Sequence, residues 1–272
     1  MLTRLITASI LIPFAIVVIL WLPFNIFSVV MLVILLIAAI EVGSLGGLHN
    51  RFFLLLYAVS TASSAVLLEM LSSNQVSEIL RILGGALWII ISLLMLLWKK
   101  PIQPKKGISP FVLFSNYILL VIAWLSMMKL YTIDINGPYL LLALFVLIWL
   151  ADSSAFFVGR FFGNRKLAPI ISPNKTWEGV FGSLVAALIF SLIFYNLNLL
   201  QTSFLWLCFV FITVTICSIG GDLFESFIKR QRNVKDSGTI LPGHGGIMDR
   251  IDSAIAALPV FASGLVLLEY LP

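Results

Sequence analysis

Residues 218–253 hold the densest run of chemically capable side chains in the chain. If a helix runs past Gly221, then Asp222, Glu225, Ser226, Lys229 and Arg230 fall at i, i+3, i+4, i+7 and i+8. That spacing places them on one face, with the acids leading and the bases following. Lys235 and Asp236 come next, then Pro242-Gly-His244-Gly245-Gly246. This stretch is no ordinary helix, and its three glycines let backbone N–H groups curl around an anion. Asp249 and Asp252 sit at i and i+3 at the start of the following helix. Capping and dipole matching would explain those two alone, but would leave the neighbouring carboxylates unexplained.

Two smaller groups precede this run. Trp149–Gly163 carries Asp152 and Arg160 inside or beside an apolar segment. A carboxylate at mid-bilayer costs about 2.5–3.5 kcal/mol on insertion scales, so it faces a cavity, a partner or a site. The simpler alternative is a structural pair with Arg160. In Ser172-Pro-Asn-Lys175-Thr-Trp-Glu178-Gly179, Ser172-Pro173 predicts a turn. Thr176 or Asn174 can cap the next helix, with Glu178 in its first turn. Lys175 then lies near the positive end of a helix dipole, a poor place for a cation unless an anion shares it. A plain topogenic lysine is the alternative.

Asp222, Asp249 and Asp152 are hard oxygen ligands of the kind Mg²⁺ uses together with substrate phosphates. The lysines and arginines suit those same phosphates. No Cys-His cluster suggests zinc, and no Gly-x-x-x-x-Gly-Lys-Ser/Thr loop is present. The residues therefore point to Mg²⁺-dependent phosphoryl or nucleotidyl transfer on a lipid, at the cytoplasmic face of a membrane.

The elements that must hold these residues are membrane helices. Of 272 residues, 61% are hydrophobic and 11% charged, with net charge +5 and mean hydropathy +1.11. A soluble domain carries roughly 25% charged residues. The composition excludes soluble globular and disordered chains, and the long apolar runs exclude a β-barrel. Nine apolar segments are expected, at about 5–23, 24–41, 52–71, 82–98, 111–130, 139–159, 180–200, 204–221 and 251–270. The fold class is all-α and polytopic. Residues 1–135 supply about five spans. Residues 136–272 supply the catalytic spans, with cytoplasmic loops 160–179 and 231–250.

Charge orients the chain. With the N-terminus inside and the spans alternating, fifteen of the 17 lysines and arginines fall inside; Arg81 and Lys129 fall outside. This agrees with the positive-inside rule and places the C-terminus outside. The first segment follows Met1-Leu-Thr-Arg4, as a signal peptide would, but is too long for one and ends in no small-residue cleavage site. It is expected to be a retained span. Cys208 and Cys217 lie nine residues apart on one helix and cannot bridge. Glu41, Glu69 and Lys129 lie near span ends, where snorkelling or capping accounts for them. Lys99, Lys100, Lys105 and Lys106 form a topogenic patch facing anionic lipid. Gly43-Ser-Leu-Gly46 and Gly182-Ser-Leu-Val-Ala186 are candidate helix-packing faces.

The block Ser226-x-Ile228-Lys229-Arg230-x₄-Lys235-Asp236-x-Gly238-x₂-Leu241-Pro242-x-His244-Gly245-Gly246-Ile247-x-Asp249-Arg250-Ile251-Asp252 resembles the signature of phosphatidate cytidylyltransferases, or CDP-diacylglycerol synthases. The Asp152-x-x-Ala155-x-x-x-Gly159-Arg160-x-x-Gly163 and Ser172–Gly179 blocks are similar to further motifs of that family, in the same order. Phe156 stands where many members have tyrosine. The resemblance covers residues 145–260 by motif and the rest by hydropathy. It implies conversion of CTP and phosphatidate to CDP-diacylglycerol and pyrophosphate at the cytoplasmic face of a bacterial inner membrane. It also implies a homodimer, with metal on Asp222 and Asp249. The cofactor would be Mg²⁺ or another divalent cation, with a second ion as an option. Lys229 and Arg230 would join those aspartates in catalysis. Asp152, Lys175, Lys235, Asp236, His244, Gly245, Gly246, Arg250 and Asp252 would bind substrate. No nucleic-acid partner is expected.

Two other classes share some of these features. A CTP-dependent lipid kinase would use the same metal and nucleotide but transfer the γ-phosphoryl group. An ion-coupled transporter would carry intramembrane carboxylates, but in both halves and with a repeat, neither of which is evident. The Asp-Gly-x₂-Ala-Arg pattern of CDP-alcohol phosphotransferases is missing.

Overall fold

The computed structural model describes residues 2–240 and 245–270. Among the described residues nine helices follow one another: α1 Leu2–Trp21, α2 Phe24–Leu45, α3 Arg51–Leu71, α4 Asn74–Leu96, α5 Pro110–Thr132, α6 Gly137–Phe162, α7 Trp177–Asn196, α8 Phe204–Gln231 and α9 Met248–Tyr270. Between α6 and α7 lies a two-stranded hairpin, β1 Lys166–Ala168 and β2 Ser172–Thr176. Among the described residues, eight helices are long and apolar enough to cross a membrane. The exception is α1, whose apolar stretch is the shorter Ile12–Trp21. The span count is therefore eight or nine, against the nine expected. Leucine, isoleucine and phenylalanine side chains cover the outer helix faces, where the surrounding lipid is as apolar as they are.

In lipid, helices associate by close packing and interhelical polar contacts rather than by hydrophobic burial. Glycine sets the closest approaches. A Cβ at Gly182 on α7 would lie 2.6 Å from Val158 Cγ2 on α6, and one at Gly43 on α2 would lie 2.9 Å from Leu54 Cδ2 on α3, so both glycine-containing stretches are packing faces. A Cβ at Gly221 on α8 would lie 2.6 Å from the Asp252 carbonyl on α9. This second contact seats the carboxylates of α8 beside those of α9. α4 packs on both α8 and α9, with Ser263 Oγ donating to the Arg81 carbonyl at 2.8 Å. Cys208 and Cys217 are both free, on α8.

The hairpin corrects one expectation. Ser172-Pro173 lies in β2, and the turn falls earlier, where Ile171 N–H donates to the Ala168 carbonyl at 3.1 Å. A proline lacks the N–H a central strand needs, but a two-stranded sheet has only edges, so Pro173 is tolerated. β2 pairs antiparallel with β1, Lys166 opposite Thr176. It leads straight into α7, whose N-cap is Thr176, its hydroxyl accepting from Gly179 N at 3.2 Å. Glu178 in the first turn accepts from Arg165 N at 3.2 Å.

Candidate active site

α8 runs without a break to Gln231, so Asp222, Glu225, Ser226 and Lys229 do share a helical face. α9 begins at Met248, which puts Asp249 in its first turn. Lys175, next to last in β2, reaches across to α8: its Nζ lies 2.7 Å from Asp222 Oδ2 and 3.5 Å from the Ile219 carbonyl. Asp222 Oδ1 accepts from Ser226 Oγ at 3.2 Å. Asp152 on α6 interacts electrostatically with Lys175, Asp222 and Asp252, and it keeps open surface. Four elements therefore meet at this point. Asp152 has Lys175 as its cationic neighbour, where the sequence offered Arg160.

Two helical turns further along α8 from Asp222, Lys229 Nζ sits 2.6 Å from Asp249 Oδ1 and 3.3 Å from Glu225 Oε2. The other oxygen of Asp249 accepts from Ser237 N at 2.8 Å, Ser237 Oγ at 2.9 Å and Gly246 N at 2.8 Å. This chelation curls the described end of the glycine segment over α9. Gly245 has φ +84°, a conformation that favours glycine, and a Cβ there would lie 2.6 Å from Asp249 Oδ2. The two principal aspartates thus differ. The Asp222 side chain keeps 34% of its surface, whereas that of Asp249 keeps 5% and has its Oδ2 saturated by donors.

The remaining expected residues are more dispersed. Arg230 turns toward the hairpin, donating to the Ile171 carbonyl at 3.4 Å and to the Val234 carbonyl at 3.5 Å. Lys235 and Asp236 are exposed in the segment after α8, and Arg250 is exposed on α9. Asp252 accepts from Ser253 N at 2.7 Å and lies against Glu225. His244 lies outside the described residues, as does most of the Pro242–Gly246 turn.

The cytidylyltransferase family model matches residues 2–268. A phosphatidate cytidylyltransferase of Pseudomonas aeruginosa is 36% identical over 263 residues, covering 96% of this chain and 95% of that protein. The chain belongs to the cytidylyltransferase family. A phosphatidate cytidylyltransferase of Haemophilus influenzae is 46% identical over 155 residues, 55% of this chain and 54% of that protein. That of Bacillus subtilis is 43% identical over 149 residues, 53% of this chain and 55% of that protein. In these last two matches the chain spans about half of the relative's length.

Two side chains near the site were not singled out for it by sequence. Ser237 joins Asp249 through both its amide and its hydroxyl. Glu41 on α2, assigned by sequence to snorkelling or capping, is 4% exposed and accepts from the same segment. Its signal was a carboxylate near the end of an apolar run; nothing in the sequence says which segment it meets.

The donor chemistry fits a divalent cation. Asp152 has Asp222 and Asp252 as electrostatic neighbours, Asp252 has Asp222 and Glu225, and buried Glu225 Oε1 meets no hydrogen-bond donor. No group of three or more His, Cys, Asp or Glu among the described residues is arranged to hold a metal unaided. Mg²⁺ takes as few as one or two carboxylates and fills its shell with water and substrate phosphate.

Proposed function

We propose that this cytidylyltransferase converts CTP and phosphatidate to CDP-diacylglycerol and pyrophosphate at the cytoplasmic membrane face. The observation that carries the reading is the chain of acids and bases from Asp152 through Lys175, Asp222 and Lys229 to Asp249, built on membrane helices. The full-length similarity to the Pseudomonas aeruginosa enzyme supports the same substrates.

The phosphatidate phosphate is already an anionic nucleophile, so no protein nucleophile is required. One of its oxygens attacks the CTP α-phosphorus, and the bond to the leaving pyrophosphate breaks. The barrier is the repulsion of two anions, which cations at the reacting phosphates lower. Lys175 is placed to move from Asp222 to a phosphate oxygen. Lys229 neutralises Asp249 and Glu225 and keeps the α8–α9 contact in place. Asp222, and Asp249 through Oδ1, would hold a divalent cation, which supplies charge neutralisation on the triphosphate when bound. A site at the membrane boundary lets acyl chains stay in lipid while CTP arrives from water.

The test is incubation of purified protein in detergent with phosphatidate, Mg²⁺ and CTP labelled at the α-phosphate. Label should enter the lipid fraction with release of pyrophosphate. Unlabelled lipid with CDP as the nucleotide product would instead indicate a lipid kinase. Orientation is tested by Thr239→Cys, which should react with an impermeant thiol reagent only from the cytoplasmic side. Reaction only from outside would overturn the topology.

A further inference from the structure

Glu41 is a carboxylate with 4% of its surface exposed, on a helix whose mean composition is strongly apolar. Oε1 accepts from Ile247 N at 3.0 Å, and Oε2 accepts from Met248 N at 2.8 Å and Ser237 Oγ at 3.1 Å. Ile247 and Met248 supply two of the first amides of α9, donors a helix cannot satisfy by itself. Glu41 is therefore an N-terminal cap brought in from another helix, and its charge matches the positive end of the α9 dipole. The Ser237 hydroxyl stands between Glu41 Oε2 and Asp249 Oδ2, at 3.1 and 2.9 Å.

Two glycines of the 226–252 block record the same contact. A Cβ at Gly238 would lie 2.9 Å from Glu41 Cδ, and one at Gly246 would lie 2.6 Å from it. All three nearest atoms at Gly238 belong to Glu41. Neither glycine has positive φ, so close approach rather than backbone freedom is what excludes a side chain.

We infer that Glu41 is a positioning residue for cytidylyl transfer: it clamps Ser237 and the start of α9 so that Asp249 is held facing Lys229. The inference rests on the proposed reaction. It also makes α2, which carries none of the family motif residues, part of the catalytic apparatus.

The experiment uses the full chain in detergent, with Glu41→Gln, Gly238→Ala, Glu41→Ala and the Glu41→Ala/Gly238→Ala double variant. Glu41→Gln keeps the shape but presents an amide NH₂ to N–H donors. It should lower kcat about 10- to 100-fold, the loss expected from a displacement of order 1 Å. KM for both substrates should stay within about twofold, since uniform binding is untouched. Amide exchange at residues 245–248 should rise about tenfold or more while that of α5 is unchanged. Gly238→Ala should show the same selective kcat loss, and the double variant should lose no more than the worse single one, because both act on one contact. A kcat for Glu41→Gln within about twofold of the parent, or losses that multiply in the double variant, would overturn the inference. If Glu41→Gln does not accumulate folded, Gly238→Ala carries the test, and unaltered kcat or a loss confined to KM overturns it. A parent protein that makes no CDP-lipid would defeat the proposed reaction instead, leaving amide exchange to decide the contact.

Discussion

The helices before residue 136 and those after it differ most in where their charged side chains find partners. In the first region the side chain mostly turns back on its own helix. Asn116 Nδ2 donates to the Val112 carbonyl at 2.9 Å, Ser126 to Ile122 at 2.8 Å and Thr61 to Tyr57 at 2.8 Å. Such bonds need no tertiary partner. In the second region hydroxyls do the same, Ser191 to Ala187 at 2.8 Å and Ser218 to Thr215 at 2.9 Å, but ion pairs join separate elements: β2 to α8 through Lys175–Asp222, and α8 to α9 through Lys229–Asp249. Local satisfaction leaves a helix interchangeable, whereas cross-element satisfaction ties chemistry to one fold. Two first-region carboxylates break the pattern. Glu69 accepts from Trp124 Nε1 at 2.7 Å, and Glu41 reaches α9.

The contrast is broken most sharply at Lys229. Lys229→Gln leaves Asp249 and Glu225 buried without their cation, and removing one partner of a buried pair costs about 3–5 kcal/mol. Thermal unfolding in detergent should show a clear loss of stability, and an unchanged midpoint would remove Lys229 from the scaffold. Asp222→Asn and Asp249→Asn should each lower kcat by about 10²–10³, the range for one strong transition-state electrostatic contact. Asp222→Asn should do so with less effect on stability, because its side chain is the more open of the two. Normal activity of both variants at saturating Mg²⁺ would refute the ligand assignment.

The basic residues sharpen the comparison at smaller magnitude. Lys175→Gln should cost about 1.5–3 kcal/mol in kcat/KM, the range for one charge-assisted hydrogen bond. Lys175→Arg tests whether a point charge suffices or a shaped pocket rejects the planar fork. Lys99, Lys100, Lys105 and Lys106 are exposed, and the backbone of their loop is strapped to α8 by Lys105 N donating to the Gln231 carbonyl at 2.8 Å. Single Lys→Gln changes there should leave kinetics within about twofold. Equal effects in both sets would reduce the second-region bases to topogenic charge. The smallest effect belongs to Thr176→Ala, which removes the α7 cap at a cost of about 1 kcal/mol in stability.

Much of this protein is legible from the order of its residues. Helix existence follows from unbroken apolar runs, because lipid offers backbone groups no other partner. The shared face of Asp222, Glu225, Ser226 and Lys229 follows from helical periodicity, and a cap at Thr176 or Asn174 from its place before an apolar run, Thr176 being the one used. Periodicity and capping are local, so sequence carries them. The hairpin was missed because Pro173 argues for a turn, and only pairing with β1 makes its segment a strand. The partners of the charges were equally invisible. Sequence offered Arg160 to Asp152, and packing supplies Lys175. Sequence left Glu41 at a helix end, and packing sets it under Gly238 and Gly246. Residue order determined the helices, their faces and the family. Which carboxylate of another element meets which cation was decided by the tertiary structure alone, since approaches between elements distant in sequence set the 2.7 Å of Lys175–Asp222 and the 2.6 Å of Lys229–Asp249, which no local rule contains.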